Sequence, residues 1–228
     1  MLFYDLRFLI EQLRVMIYVA PAILFAVVLH EYAHGRVSTW LGDPTPKASG
    51  RLSLNPFRHL DLWGTLCLLF FHVGWAKPVP IDPRYYKDRR KGIILTALAG
   101  PAANLIAALL LTVIEVLVYR YTAADSTWAA VVILLAEYSA RINIGLALFN
   151  LIPIPPLDGS RILGELFPRV REWYGRWRPY WTLILLLLLI IGVLSRPLNI
   201  LNHTVLTAMQ EIVMNIFHVI PGSTYLMC

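Results

Sequence analysis

Cysteine is almost missing from this sequence, and so is charge. Cys67, inside an apolar run, and Cys228 cannot build a disulfide framework or a zinc–thiolate cluster, so any metal must be held by other ligands. Charged residues make up only 15% of the chain, against about a quarter in a soluble domain. The remainder is 58% hydrophobic with a mean hydropathy of +0.62, which excludes an ordinary soluble fold and points to an all-α integral membrane protein. Residues 1–15 mix Asp5, Arg7, Glu11 and Arg14 with apolar positions, and no small-residue cleavage site follows, so no removable signal peptide is expected. The net charge of +6 could suggest nucleic acid, but the basic residues lie in loops between apolar runs rather than on one compact face. The partner they imply is the lipid bilayer, with no nucleic acid.

A helix needs about 20 apolar residues to cross the hydrocarbon core. Four candidate spans are clear, at 93–119, 128–152, 179–195 and 197–220, and a fifth apolar helix covers about 14–38, where Pro21 either kinks it or starts a new helix. A twelve-residue apolar run at 62–73 is too short to cross and reads as a re-entrant segment, extending to about 76. The expectation is a single domain over 1–228, a polytopic helical bundle of about five spans plus that segment. With 62–73 not crossing, 36–91 and 153–178 share one side and hold ten and five Lys and Arg, against Arg7, Arg14, Arg120 and Arg196 on the other. The positive-inside rule then puts both basic loops and the C-terminus in the cytoplasm and the N-terminus outside.

Near the cytoplasmic end of the 14–38 helix stands His30-Glu31-Tyr32-Ala33-His34. Residues four apart share a helix face, so both imidazoles can reach one ion while Glu31 faces a water at the same centre. Metal and carboxylate together make that water a nucleophile at neutral pH, which is the chemistry of peptide hydrolysis. Chance would produce such a pattern in roughly one of two hundred chains of this composition. The bland alternative, a histidine pair at a membrane interface with Glu31 reaching for water, leaves three converging polar groups unexplained.

A catalytic zinc takes three protein ligands and keeps a fourth position open. Asp158 is the best third candidate, because it follows the proline-broken stretch after the 128–152 span, on the same side as the histidines. Irregular backbone at membrane depth is tolerated where it lines a site. The competing reading makes Asp158 the cap of a helix beginning near Ser160.

With these residues in view, the chain resembles the site-2 proteases, intramembrane zinc metalloproteases, and in particular their short bacterial forms without a PDZ domain. Four stretches carry the resemblance, His30 to Gly35, Gly50 to His59 (GRLSLNPFRH), Gly100-Pro101-Ala102-Ala103-Asn104, and Asn150 to Gly159 (NLIPIPPLDG), and it covers about residues 20–165. It implies His30, His34 and Asp158 as ligands of one Zn2+ per chain, Glu31 as catalytic base, Asn150 as a substrate or oxyanion contact, and a bacterial inner-membrane location. The implied substrate is a membrane-spanning protein; a homo-oligomer is left open. Many relatives of this kind carry a helix ahead of the metal helix, for which only 1–20 is available here.

Asn104 reads on its own as helix glue or as a site-facing amide, where the resemblance adds a substrate or oxyanion contact. The stretch from Trp75 to Pro80 is either an extended edge for a substrate strand or a Pro-rich interfacial loop. Glu137 and Arg141 are four apart in a span and are expected to pair inside the bundle. His59, His72, His203 and His218 are not placed as ligands. A divalent-metal transporter would need repeated halves with matching broken helices, which are not found. A catalytically inactive scaffold sits poorly with His30, Glu31, His34 and Asp158 all being present.

Overall fold

Helix formers and apolar runs dominate the chain, and in the computed structural model every regular element is helical, with no strand among the described residues. These are 2–59, 61, 77–123 and 126–219, with side chains described from 16 onward. The re-entrant segment expected at 62–76, with Cys67, His72 and Trp75, lies outside them, as does Cys228.

The elements are α1 (Leu2–Trp40), the single turn α2 (Thr45–Ala48), α3 (Arg89–Tyr121), α4 (Thr127–Asn150), α5 (Asp158–Leu166), α6 (Pro168–Arg176), α7 (Trp181–Ile190) and α8 (Ser195–Ile216). Three of them are long and apolar enough to cross a membrane, namely the part of α1 from Met16 to Trp40, α3 and α4. Helix α1 begins well before the expected residue 14 and runs through Pro21 unbroken, so Pro21 does not start a new helix.

The two separate spans expected at 179–195 and 197–220 are corrected. Helix α7 has ten residues, a rise of about 15 Å and half the hydrocarbon thickness, and it meets α8 at a 76° bend. The pair counts at most as one broken span. Helix α8 runs alongside α3 in the same direction: Leu206 packs with Ala108, Val213 and Val219 with Val116, and Arg120 Nη1 donates to His218 O at 2.9 Å. Its C-terminal end therefore lies beside the end of α3 that leads into the 122–126 loop. By length and composition the stretch after 179 thus supplies at most one crossing, where the sequence suggested two.

The core sits where α3, α4 and α8 meet, around Ala108, Ala140, Ile144 and Leu206. Small side chains, Ala97, Ala107, Ala136 and Ala147 among them, let the helix backbones approach closely, as packing within lipid requires. Glu137 and Arg141 do pair at 2.9 Å, but Arg141 is exposed and Glu137 only half-buried, so the pair lies at the bundle surface and not inside it. The inward face of α4 is already filled by Ala136, Ala140, Asn143, Ile144 and Ala147.

Where α1 leaves the bundle, a buried carboxylate organises the turn. Asp43 accepts from Ser38 Oγ at 2.7 Å, Thr45 N at 2.8 Å and Asp82 N at 2.8 Å. Tyr86 extends the network, its hydroxyl lying 2.8 Å from Ser38 Oγ and 3.1 Å from Thr96 Oγ1. The end of α1, the 77–88 segment and α3 are thereby tied together. Burial pushes the Asp43 carboxyl up, but the hydrogen bonds from Thr45, Asp82 and Ser38 outweigh it and hold the group below the usual carboxylate range. A lowered folded-state value stabilises above the unfolded pKa, and that stability disappears as pH falls through the folded one. Asp43→Asn sets an NH2 against existing donors and is expected to cost about 2 kcal/mol at neutral pH. Thermal unfolding in detergent at pH 7 and near pH 3 should show the gap between variant and wild type closing in acid; a gap of equal size at both pH values would refute the assignment.

Candidate metal centre

His30 and His34 sit one turn apart on α1, whose apolar surroundings bury both. Asp158 reaches them from across the bundle as the first residue of α5. It is not a cap: no side chain caps that helix, and the Asp158 carboxylate turns toward the histidines instead. The helix starts there because 151–157 is irregular, with prolines at 153, 155 and 156, and because Gly159 lets it begin against the preceding backbone. A Cβ at Gly159 would overlap the Leu151 carbonyl. The loop is braced from outside by Tyr174 on α6, whose hydroxyl donates to Pro153 O at 2.6 Å, while Trp181 Nε1 donates to Tyr174 O at 3.0 Å.

Three atoms converge: His30 Nε2 and His34 Nε2 are 3.0 Å apart, and Asp158 Oδ2 lies 3.2 Å from the first and 3.0 Å from the second. The protonation of each ring follows from its far side. His34 Nδ1 lies 2.7 Å from Thr96 O, which can only accept, so Nδ1 carries the hydrogen. His30 Nδ1 lies 2.6 Å from Asn104 Oδ1, and the Asn104 amide is oriented by donating Nδ2 to Ala26 O at 3.0 Å and to Asn143 Oδ1 at 2.7 Å. Asn143 is fixed in turn by donating to Ser139 O at 2.8 Å. With a hydrogen on each Nδ1, both imidazoles have Nε2 free to ligate, and the two nitrogens stand together with a carboxylate oxygen. A divalent cation among the three would satisfy all of them at once. The separations approach the roughly 3.3 Å edge of a tetrahedron of nitrogen and oxygen ligands about 2.0–2.2 Å from zinc. The donor set fits a divalent cation of that kind, and among the described residues it is the one such group of His, Cys, Asp and Glu.

Glu31 is half-buried beside this centre, and its Oε2 accepts from Val79 N at 2.8 Å. Val79 stands between Pro78 and Pro80, which have no N–H, so this is the sole backbone donor of those three residues. From the far side α3 closes the centre at Gly100, where an added Cβ would stand 2.5 Å from His34 Nε2 and 2.7 Å from His30 Nε2. What the missing side chain at Gly100 admits is the two imidazoles.

Neither Asn104 nor Asn150 is among the three converging groups. Asn104 is fully buried with oxygen and nitrogen both engaged, so it stands behind His30. Asn150 ends α4 and donates Nδ2 to Leu146 O at 2.9 Å, without a hydrogen bond to the three converging groups. Asn143, Thr96 and the Val79 amide were missed. Only Asn143 carried a sequence signal, as an amide inside an apolar span.

Asn104→Leu keeps the volume but leaves the His30 ring without its orienting acceptor. Zinc affinity is expected to fall roughly 10- to 100-fold, as for other partners of metal-bound histidine. Competition against a fluorescent zinc chelator measures this, and unchanged affinity would place Asn104 in packing alone.

A family model described as "Peptidase family M50" matches residues 116–192, which include Asn150 and Asp158. The chain is 40% identical over 169 residues to "Putative zinc metalloprotease YwhC" of Bacillus subtilis, covering 71% of this chain and 74% of that protein. It is 30% identical over 195 residues to "Putative zinc metalloprotease Rip2" of Mycolicibacterium smegmatis, covering 82% of this chain and 72% of that one. The Rip2 protein of Mycobacterium tuberculosis is 31% identical over 146 residues, covering 61% and 53%. No solved structure matches the chain.

Proposed function

The chain belongs to peptidase family M50, the site-2 protease family of zinc metalloproteases, and from that premise we propose that it hydrolyses peptide bonds of membrane-spanning proteins inside the bilayer. The observation that carries this reading is the buried convergence of His30, His34 and Asp158 on helices apolar enough to cross a membrane. One zinc per chain held by these three residues would supply Lewis acidity, polarising the scissile carbonyl and making a water acidic.

The protein's own groups do the rest. Glu31 takes the proton of the attacking water on Oε1, which accepts no hydrogen bond from the described residues, while the Val79 amide fixes Oε2. The same carboxyl then returns the proton to the leaving amine. Asn104 and Thr96 O hold the imidazoles in the tautomer that keeps Nε2 a ligand. Asn150 has a second amide hydrogen, beyond the one on Leu146 O, to offer an oxyanion. The 77–80 segment, pinned across Glu31, is the edge along which a substrate would lie.

In the topology we propose, α1, α3 and α4 each cross once and the bent α7–α8 pair once, with the centre and both basic loops on the cytoplasmic side of a bacterial inner membrane. A substrate helix must unwind before its carbonyls can be attacked, since they are already hydrogen-bonded. The test is a purified protein in detergent given single-span substrates with and without a Gly-Pro pair in the span. Cleavage mapped within the span, faster with the helix breaker, stopped by chelation and restored by zinc, is the expected result. Cleavage confined to soluble segments would sink the reading.

A further inference from the structure

Beside the metal centre lies an open cleft of about 660 Å³, in the size range of ligand sites. Three of its walls abut the chemistry. Thr96 contributes the carbonyl that holds His34, Ser160 follows Asp158 by two residues, and Ile81 follows Val79, the residue bound to Glu31, by two. A polypeptide whose scissile carbonyl sits at the centre and whose backbone follows the 77–80 segment therefore continues into this cleft.

The other wall comes from α5, α6 and the 177–180 turn, and its charge is lopsided. Arg161, Arg171 and Arg178 line it against one acid, Glu165. Arg171 Nη1 already lies 3.5 Å from Glu165 Oε1, whereas Arg161 and Arg178 have no acidic partner among the described residues. Two exposed guanidiniums thus face the path of whatever leaves the centre on this side. Segments flanking a membrane span on the cytoplasmic side are ordinarily basic, and such a segment would be repelled. An acidic one would be held, with guanidinium geometry suited to carboxylates.

We propose that this cleft is a specificity site for the juxtamembrane flank of the substrate, selecting flanks that carry Asp or Glu through Arg161 and Arg178. The assignment rests on the protease reading above, and it adds a rule for which membrane proteins are cut: acidic flanks are favoured, neutral ones tolerated, lysine-rich ones rejected.

The test uses synthetic single-span peptides with one common span and a four-residue flank of Glu, Ser or Lys, in phosphatidylcholine vesicles. Binding is measured on the full-length Glu31→Gln protein and cleavage on the zinc-loaded wild type. The Glu flank should bind roughly five- to tenfold more tightly than the Ser flank, the size expected of two partly exposed charge pairs, and the Lys flank more weakly still. The preference should appear in KM and not in kcat, shrink at high salt, vanish in Arg161→Gln/Arg178→Gln and survive in Arg161→Lys/Arg178→Lys. Zinc content reports whether each variant is folded. Equal binding of all three flanks, or a preference that persists in the Gln variant, overturns the proposal. So does loss of the preference when phosphatidylglycerol is added, which would assign the arginines to lipid headgroups. Flank-dependent binding without cleavage of any peptide would sink the protease reading while leaving the cleft assignment standing; cleavage indifferent to the flank does the reverse.

Discussion

Glu31→Gln retains a full complement of zinc and loses catalysis, with kcat expected to fall by roughly 10²- to 10⁴-fold. Gln has nearly the volume of Glu, and its carbonyl oxygen can still accept from Val79 N, so the contact that holds the side chain survives. None of the three converging donor atoms belongs to residue 31. What the amide cannot do is take a proton from water. Asp158→Ala is the informative contrast, since it removes Oδ2, one corner of the triangle 3.0–3.2 Å on each side. It should lose or weaken zinc and lose activity for that reason. Metal analysis by mass spectrometry beside cleavage of a membrane-anchored substrate separates the two cases. Full activity in Glu31→Gln would overturn the mechanism.

Gly100→Ala should abolish zinc binding while leaving the helix intact. Replacing glycine by alanine within a helix ordinarily stabilises it by roughly 0.5–1 kcal/mol. The backbone here gives no reason to expect otherwise, because Gly100 is helical within α3. The methyl group, however, would stand 2.5 Å from His34 Nε2 and 2.6–2.7 Å from His30 Cε1 and Nε2. Carbon and nitrogen not bonded to each other repel strongly at such distances, the attractive optimum being about 3.5–4.0 Å. Either the imidazoles swing away from Asp158 or α3 backs off from α1, and both movements open the triangle. Circular dichroism should show undiminished helix and metal analysis less than a tenth of an ion per chain. A variant that binds zinc stoichiometrically would mean that α3 does not pass as close to the imidazoles as this geometry has it.

Most of what made the chemistry readable is local. Two histidines four apart on one helix share a face whatever the rest of the chain does, so the pair and the neighbouring Glu31 are set by covalent spacing and helical pitch. Apolar runs long enough to cross a bilayer are likewise a one-dimensional property, which is why α1, α3 and α4 were foreseeable. The failures arose where length and composition do not fix direction. The sequence has apolar residues enough for two spans after 179, but the bend between α7 and α8 is a matter of how α8 docks along α3.

Other decisions belonged to the tertiary structure for the same reason. Asp158 as cap or as converging carboxylate differs only in where α5 meets α1, 128 residues away along the chain. Asn104 looked equally suited to glue or to substrate until Ala26 O, Asn143 and His30 were found to engage its whole amide. The surface position of Glu137 and Arg141 depends on which face of α4 the small residues turn inward. Sequence by itself determined which donor atoms this protein owns, because periodicity and residue type are encoded along the chain. Only the packing of α1 against α3 and α4, and of α5 against α3, decided which of those atoms face one another, because hydrogen-bond partners and separations of about 3 Å are set by contacts between distant segments.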